Sequence, residues 1–226
     1  CEKIKFYGSG GSVSFNPDEC IRDLKKSRKI GLEGFKMRCG YKSLKDDMDR
    51  IKKVNDEIKT NVNGCNKLML DRIMGTLRSR ENLYSGRELL SNCIERDINI
   101  FWYEELFDPY NIIPYIHLKN HKNNNNYSNI ALGESFTTKT EYLSYAKYVD
   151  FLQFDVTHFG GFTTTIDVIN DLKELNYHKQ FTVHIWGSCL SYIFNYLLAA
   201  SCKSIEWVEF PLIELELNEI FLKEGN

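Results

Sequence analysis

Short strand-like runs alternate with helix-length segments along the whole sequence, and eight such runs can be counted. This alternation is typical of parallel strands joined by crossover helices. A length of 226 residues lies within the roughly 200 to 400 residues usual for a barrel built from eight such units. We therefore predict an α/β fold, a (β/α)8 TIM-type barrel, with residues 1–226 forming a single domain.

The predicted strands are runs of five or six residues. They cover Lys3–Tyr7, Gly34–Arg38, Lys67–Asp71, Ile100–Glu104, Asn129–Gly133, Phe151–Asp155, Phe181–Ile185 and Ile205–Phe210. Between them, apolar residues recur at three- and four-residue spacing, which predicts amphipathic helices. Pro17 follows Asn16 at an early helical position, where proline is favoured. The predicted helices cover Pro17–Lys29, Asp46–Lys59, Ser85–Glu95, Lys139–Lys147, Thr163–Leu175 and Ser188–Ala200.

The composition excludes several classes of protein. A formal charge of -2 provides no broad basic surface for nucleic acid or for an anionic membrane. No apolar run approaches the roughly 20 residues of a membrane span, so we expect a soluble, cytoplasmic protein. The seven cysteines show no zinc-ligand spacing and are read as reduced thiols. The polar stretch Asn120–Asn129 is expected to be a surface loop without an assigned function.

Polar residues close most of the predicted strands. In a (β/α)8 barrel the active site is assembled at the carboxyl ends of the strands, so these positions are the candidates for chemistry. A single acidic residue there is usually a helix cap or a solvated loop residue. The strand-end set is Lys36, Arg38, Asp71, Glu104, Glu134, Asp155, His184 and Glu209.

Three of these residues, Asp71, Glu104 and Glu134, follow consecutive strands. Their carboxylates should converge on the barrel axis, where mutual repulsion is costly without a cation. Ligands that are all oxygen favour a hard ion, and Mg2+ is usual where few carboxylates leave room for water and substrate. The sequence therefore predicts one Mg2+ ion held by these three residues.

The wording of these motifs resembles the enolase superfamily, in particular its mandelate racemase/muconate lactonizing branch. The resemblance follows the order of the chain and covers essentially all of it. Taken singly each motif is weak, and the ordered set carries the specificity. The motifs are Gly34-Phe35-Lys36-Met37-Arg38-Cys39-Gly40, Leu68-Met69-Leu70-Asp71, Trp102-Tyr103-Glu104-Glu105, Gly133-Glu134-Ser135, Leu152-Gln153-Phe154-Asp155, Gly160-Gly161-Phe162-Thr163, Val183-His184-Ile185 and Trp207-Val208-Glu209.

Some positions depart from the branch's pattern. Arg38 stands where many members have lysine, Ile73 where asparagine is common, and Leu106 where proline is usual. None of these changes removes a predicted metal ligand. The sequence shows no counterpart of the amino-terminal α+β capping domain that closes over the substrate in the family. We therefore expect the barrel alone, possible in an incomplete form.

The resemblance implies removal of the proton next to a carboxylate, with Mg2+ stabilising the enediolate, a chemistry for which this superfamily is the standard example. His184 is the expected general acid/base, oriented by Asp155. Lys36 shares a strand face with Arg38 and would bind the substrate carboxylate. Glu209 would either donate a hydrogen bond to the enediolate, if its pKa is raised, or form an ion pair with a base on the second strand. The other histidines, His117, His121, His158 and His178, are given no role.

Arg38 directs the choice of reaction. Arginine is a poor base and a good carboxylate clamp, which favours a reaction with one base. We therefore expect a dehydratase acting on a small carboxylate, an acid sugar, in a homo-oligomer. The alternatives are a racemase, epimerase or cycloisomerase in which Arg38 is a second base, and a barrel that binds metal or regulates without catalysis.

Overall fold

The computed structural model describes residues 4–60, 64–77, 84–122, 128–177 and 180–213. Eight parallel strands pair in chain order, and β8 pairs with β1 to close the barrel. The predicted (β/α)8 barrel is therefore confirmed. The strands are β1 (Lys5–Gly10), β2 (Gly34–Arg38), β3 (Lys67–Asp71), β4 (Ile100–Glu104), β5 (Asn129–Leu132), β6 (Phe151–Phe154), β7 (Gln180–Val183) and β8 (Ile205–Pro211).

The helices begin where capping residues are found. Asn16, Ser85 and Thr138 each form a capping box with a glutamate three residues later, which satisfies backbone N–H groups at the helix start. The helices are α1 (Pro17–Lys29), α2 (Leu44–Thr60), α3 (Ile73–Leu77), α4 (Gly86–Glu95), α5 (Ile112–Lys122), α6 (Lys139–Tyr145), α7 (Gly161–Glu174) and α8 (Cys189–Ser201).

The first strand differs most from its predicted bounds. It starts at Lys5 and continues through the glycine-serine stretch to Gly10, beyond the predicted end at Tyr7. The reason is the close approach of α1, since a Cβ at Gly8 would lie 2.1 Å from Ser27 Oγ. The small residues therefore belong to the strand because a helix packs directly on them.

Strands β6 and β7 end one or two residues before their predicted ends, at Phe154 and Val183. Asp155 and His184 are thus the first residues beyond their strands, and Glu209 lies inside β8. The polar stretch at Asn120–Asn129 also differs, because α5 extends through its start to Lys122. Residues 123–127 lie outside the described residues.

The segment α3 is a left-handed turn. Ile73, Met74, Thr76 and Leu77 have φ between 45° and 64°, a region that side chains other than glycine rarely adopt. At Gly75 a Cβ would lie 2.4 Å from the carbonyl carbon of Phe107, so this position requires glycine. The turn follows β3 directly, at the carboxyl end of the barrel.

An aromatic cluster fills the interior of the barrel. Trp102 contacts Tyr7 and Phe151, with ring centroids 5.1 and 4.9 Å apart, and Trp207 at 6.2 Å. Met69 and Ala131 complete this cluster. A second, larger apolar core lies between the sheet and the outer helices. The cluster closes the barrel below the carboxyl ends of the strands, so the polar side chains stand on an apolar floor.

No helix among the described residues is both long and apolar enough to reach across a lipid bilayer. The cysteines of the described part of the chain are all free thiols.

Candidate active site at the carboxyl end of the barrel

A cavity of about 380 Å³ opens at the carboxyl end of the barrel. Its wall contains three of the predicted site residues, Glu134, Asp155 and His184. The remaining lining comes from loops that follow β3, β4, β6 and β7. These lining residues are Ile73, Met74, Tyr110, Ser135, Thr157, His158 and Trp186. The loops thus bring together residues that are far apart in the sequence.

Lys36 is buried below this cavity, among the acidic side chains. Its Nζ donates to Glu104 Oε1, lies 2.9 Å from Glu209 Oε1 and 3.9 Å from Asp71 Oδ2. The side chain is only 1% exposed. A charge this deeply buried persists only when opposite charges compensate its lost hydration. Lys36 therefore neutralises protein carboxylates, and its ammonium does not line the cavity as a free substrate ligand.

Glu209 forms the ion pair that was one of its two expected roles. Burial alone would raise its pKa, but Lys36 and His184 outweigh burial and lower the pKa to about 2. Its Oε2 accepts a hydrogen bond from the Ile185 N–H at 2.9 Å. The expectation of a protonated Glu209 that donates a hydrogen bond is wrong here, because two cations and a backbone donor stabilise the carboxylate.

Asp71, Glu104 and Glu134 stand close enough to influence one another, but they face different cations. Asp71 and Glu104 turn toward Lys36, whereas Glu134 Oε2 lies 3.5 Å from His184 Nε2. Within the described parts of the chain, no three acidic, histidine or cysteine side chains stand at metal-binding spacing as they are. A metal ion would need these carboxylates to turn toward a common point.

The chemistry of this donor set nevertheless fits a divalent cation. Burial and the neighbouring carboxylates of Asp71, Glu134 and Glu209 raise the pKa of Glu104, against the opposing effect of Lys36. Burial and Glu105 likewise raise the pKa of Glu134 to about 7. The site thus holds more buried negative charge than its own cations neutralise. A cation bound by oxygen ligands would relieve this repulsion.

His184 and Asp155 form a dyad on the opposite side of the cavity. His184 Nδ1 lies 3.0 Å from Asp155 Oδ2, so Nε2 is the ring nitrogen left facing Glu134. Burial lowers the pKa of His184, but Glu134 and the Asp155 hydrogen bond raise it to about 10. Burial raises the pKa of Asp155, but hydrogen bonds from His184, Asn195 and Thr157 bring it down to about 2. The dyad is arranged to hold a proton on Nε2.

Arg38 lies between the buried acids and the cavity rim. Its guanidinium stacks on the Trp186 ring with Cζ 4.8 Å from the ring centroid, and its Nη2 donates to Ser9 Oγ at 3.3 Å. Nε lies 3.7 Å from Asp71 Oδ2. Stacking and hydrogen bonding hold the planar group in one orientation, as expected for a carboxylate clamp.

Several residues around the site have roles that we did not predict from the sequence. Buried Glu105 accepts hydrogen bonds from the Ser135 hydroxyl and the Met74 N–H, and so connects the loops after β3 and β5. Arg50 on α2 donates to the Arg38 carbonyl at 3.3 Å and supports the end of β2. The available signal was a charged residue within an apolar pattern, which marks a buried and paired charge.

Among the histidines without an assigned role, His158 lines the cavity and His117 lies on α5. His178 and the side chain of His121 lie outside the described residues.

The chain is similar to known proteins over most of its length. Residues 19–225 match the family model described as enolase C-terminal domain-like. The arabinonate dehydratase of Saccharolobus solfataricus is 26% identical over 227 aligned positions, which cover 99% of this chain and 56% of that enzyme.

Solved structures share the fold at lower identity. The 3,6-anhydro-D-galactonate cycloisomerase from Zobellia galactanivorans superposes with a TM-score of 0.76 at 19% identity, over 96% of this chain and 56% of that one. The L-talarate dehydratase from Polaromonas sp., complexed with Mg and L-glucarate, gives 0.71 at 20% identity, over 93% and 53%. The chain thus spans 53% to 56% of the length of these three relatives. It belongs to the enolase C-terminal domain-like family, in the mandelate racemase/muconate lactonizing branch.

Proposed function

We propose that this barrel removes the proton next to the carboxylate of a small acid sugar in the presence of one Mg2+ ion, and completes a dehydration. The observation that carries the proposal is the His184–Asp155 dyad, whose Nε2 faces Glu134 within a cavity of about 380 Å³. A histidine backed by a carboxylate is suited to take and return a proton. The similarity to an arabinonate dehydratase supports the same class of substrate.

Asp71, Glu104 and Glu134 would hold the Mg2+ ion. When bound, it supplies fixed positive charge beside the negative charge that develops on the substrate carboxylate. Lys36 contacts two of these residues and compensates part of their charge. Glu209 remains ionised and keeps Lys36 in place through the contact at 2.9 Å.

The protein's part in the reaction centres on His184. Its Nε2 accepts the proton as the Cα–H bond breaks, and Asp155 stabilises the imidazolium that results. The same proton then passes to the β-hydroxyl as the Cβ–O bond breaks, so that water leaves and a keto acid forms after tautomerisation. One base therefore serves both steps, in keeping with the arginine at position 38.

The first prediction concerns turnover. We expect Mg2+-dependent formation of a keto acid from at least one member of a panel containing arabinonate, galactarate, talarate and glucarate, and loss of this activity after chelation with EDTA. Proton NMR in D2O follows exchange at Cα at the same time. Calorimetry measures Mg2+ binding independently of substrate. A folded protein that neither binds Mg2+ nor exchanges the α proton of any tested acid contradicts the proposal.

The same exchange experiment distinguishes the alternative reactions. Return of the substrate in both configurations without loss of water would replace the dehydratase by an epimerase or racemase. Magnesium binding without exchange of any substrate would instead favour a barrel that binds metal without catalysis.

The second prediction concerns Arg38. The Arg38→Lys substitution keeps the charge but removes the planar group that stacks on Trp186. Loss of a charged, bidentate hydrogen bond weakens binding by about 1.5 to 3 kcal/mol, so we expect KM to rise about 10- to 100-fold. Steady-state kinetics measures the change. The control is Arg22→Lys on α1, whose side chain is 70% exposed. An unchanged KM in the Arg38 variant would show that Arg38 is not the substrate clamp.

A further inference from the structure

Asn195 is a buried polar residue within an otherwise apolar helix. It lies in the middle of α8 and is 0% exposed. Asparagine has a low preference for helix interiors, and burying its amide is costly unless each polar atom finds a partner. A helix with this sequence would pack equally well with an apolar residue at this position, so the amide needs a separate explanation.

The contacts of Asn195 fix the orientation of its amide. Oδ1 accepts a hydrogen bond from the Val156 N–H at 3.0 Å, and a backbone N–H can only donate. Nδ2 must therefore face the other way, where it donates to Asp155 Oδ1 at 2.9 Å and to the Ser191 carbonyl at 3.1 Å. The amide thus bridges α8 and the chain that leaves β6.

Asp155 is consequently held from two sides. Its Oδ1 accepts from Asn195 Nδ2 and also from the N–H and hydroxyl of Thr157, at 2.9 and 2.6 Å. These donors occupy Oδ1, so Oδ2 is directed to His184 Nδ1 at 3.0 Å. Without Asn195, the carboxylate would retain donors only from its own loop, and rotation about its terminal torsion would cost less.

We infer that Asn195 is a positioning residue for the His184–Asp155 dyad. It acts through Asp155, whose fixed carboxylate sets the orientation of the imidazole and keeps the proton on Nδ1. The geometric part of this inference stands on the contacts alone, whereas its effect on turnover rests on the proposed function.

Two substitutions separate the contacts of the amide. Asn195→Asp keeps an acceptor for the Val156 N–H but places an oxygen opposite Asp155 Oδ1. Asn195→Leu keeps a similar volume and removes both hydrogen bonds. Circular dichroism and thermal unfolding establish that each variant is folded, and the aspartate variant carries the test if the leucine variant is not. The control is Asn55→Leu, at another buried helical asparagine, on α2.

The decisive measurement is the proton NMR signal of the His184 Nδ1–H in the full chain without metal or substrate. A hydrogen bond to a carboxylate shifts such a proton strongly downfield, and His184→Asn identifies the signal by its loss. We expect the signal to move upfield or to broaden away in both Asn195 variants and to persist in Asn55→Leu. An unchanged signal in a folded Asn195 variant overturns the inference.

Kinetics supply the second readout. With whichever acid sugar is turned over, we expect kcat of the Asn195 variants to fall about 10- to 100-fold while KM stays within twofold, because the residue does not touch substrate. An equal rise in KM with unchanged kcat would overturn the positioning role. If the wild-type chain turns over no substrate, the proposed function fails, and the NMR signal still decides the role of Asn195.

Discussion

Replacing Lys36 by methionine is expected to lower the free energy of unfolding by about 3 to 5 kcal/mol, the cost typical of leaving a buried charge without its partner. Lys36 is 1% exposed and contacts Glu104, Glu209 and Asp71. The methionine side chain fills a similar space, so the loss reports uncompensated carboxylates more than a cavity. Urea unfolding followed by circular dichroism measures the change.

The matched control is Lys53→Met. Lys53 forms an ion pair with Asp18 at 2.8 Å, but both side chains are more than half exposed. Solvent screens such a pair, and we expect no measurable change in stability. Equal stability of the Lys36 variant and the control would contradict the burial argument, and would mean that the buried acids are protonated in the folded state.

The same variant tests the predicted metal ligands without any substrate. If Mg2+ binds among Asp71, Glu104 and Glu134, it stabilises the folded chain by mass action. We expect added Mg2+ to raise the unfolding temperature of Lys36→Met more than that of the wild type, because the variant has lost the competing ammonium. An equal effect of Mg2+ and of the same ionic strength of NaCl would count against a specific site.

The His184→Asn substitution is expected to lower kcat by about 100- to 10,000-fold, the usual contribution of a general acid/base. Asparagine can still hydrogen-bond with Asp155 but cannot take a proton at neutral pH. Exchange of the α proton in D2O should disappear together with keto-acid formation. Both are measured with the acid sugar that the wild-type chain turns over.

The control for this substitution is His117→Asn on α5, away from the strand ends that form the cavity. We expect its kcat to equal that of the wild type. Residual exchange at the wild-type rate in His184→Asn would assign proton abstraction to another group, and Arg38 would then be the residue to test as base.

Much of the fold follows from local pattern. The bounds of β2, β3, β4 and α1 coincide with those predicted, because charged residues end those strands and Asn16 caps that helix. The limits of β1 could not be predicted. Its glycine-serine stretch looks like a loop until the packing of α1 against Gly8 is known. No bounds were predicted for α5, whose apolar start runs into a polar asparagine-rich stretch.

The candidate site divides in a similar way. The sequence indicated which residues close the strands, since the order of motifs and the rule for barrels identify them without coordinates. It left two roles open for Glu209, and the pKa of about 2 settles on the ion pair. It also assigned Lys36 to the substrate, whereas the ammonium is engaged by the protein's own acids.

The amino-acid sequence by itself determined the barrel, the family and the set of acidic and basic residues at its carboxyl end. Only the tertiary structure decided which charge faces which, that Asn195 holds Asp155, and that Trp186 stacks on Arg38. The reason is physical. Strand and helix patterns are local in sequence, whereas the energy of a buried charge depends on the distance and desolvation of partners that the fold brings from other strands.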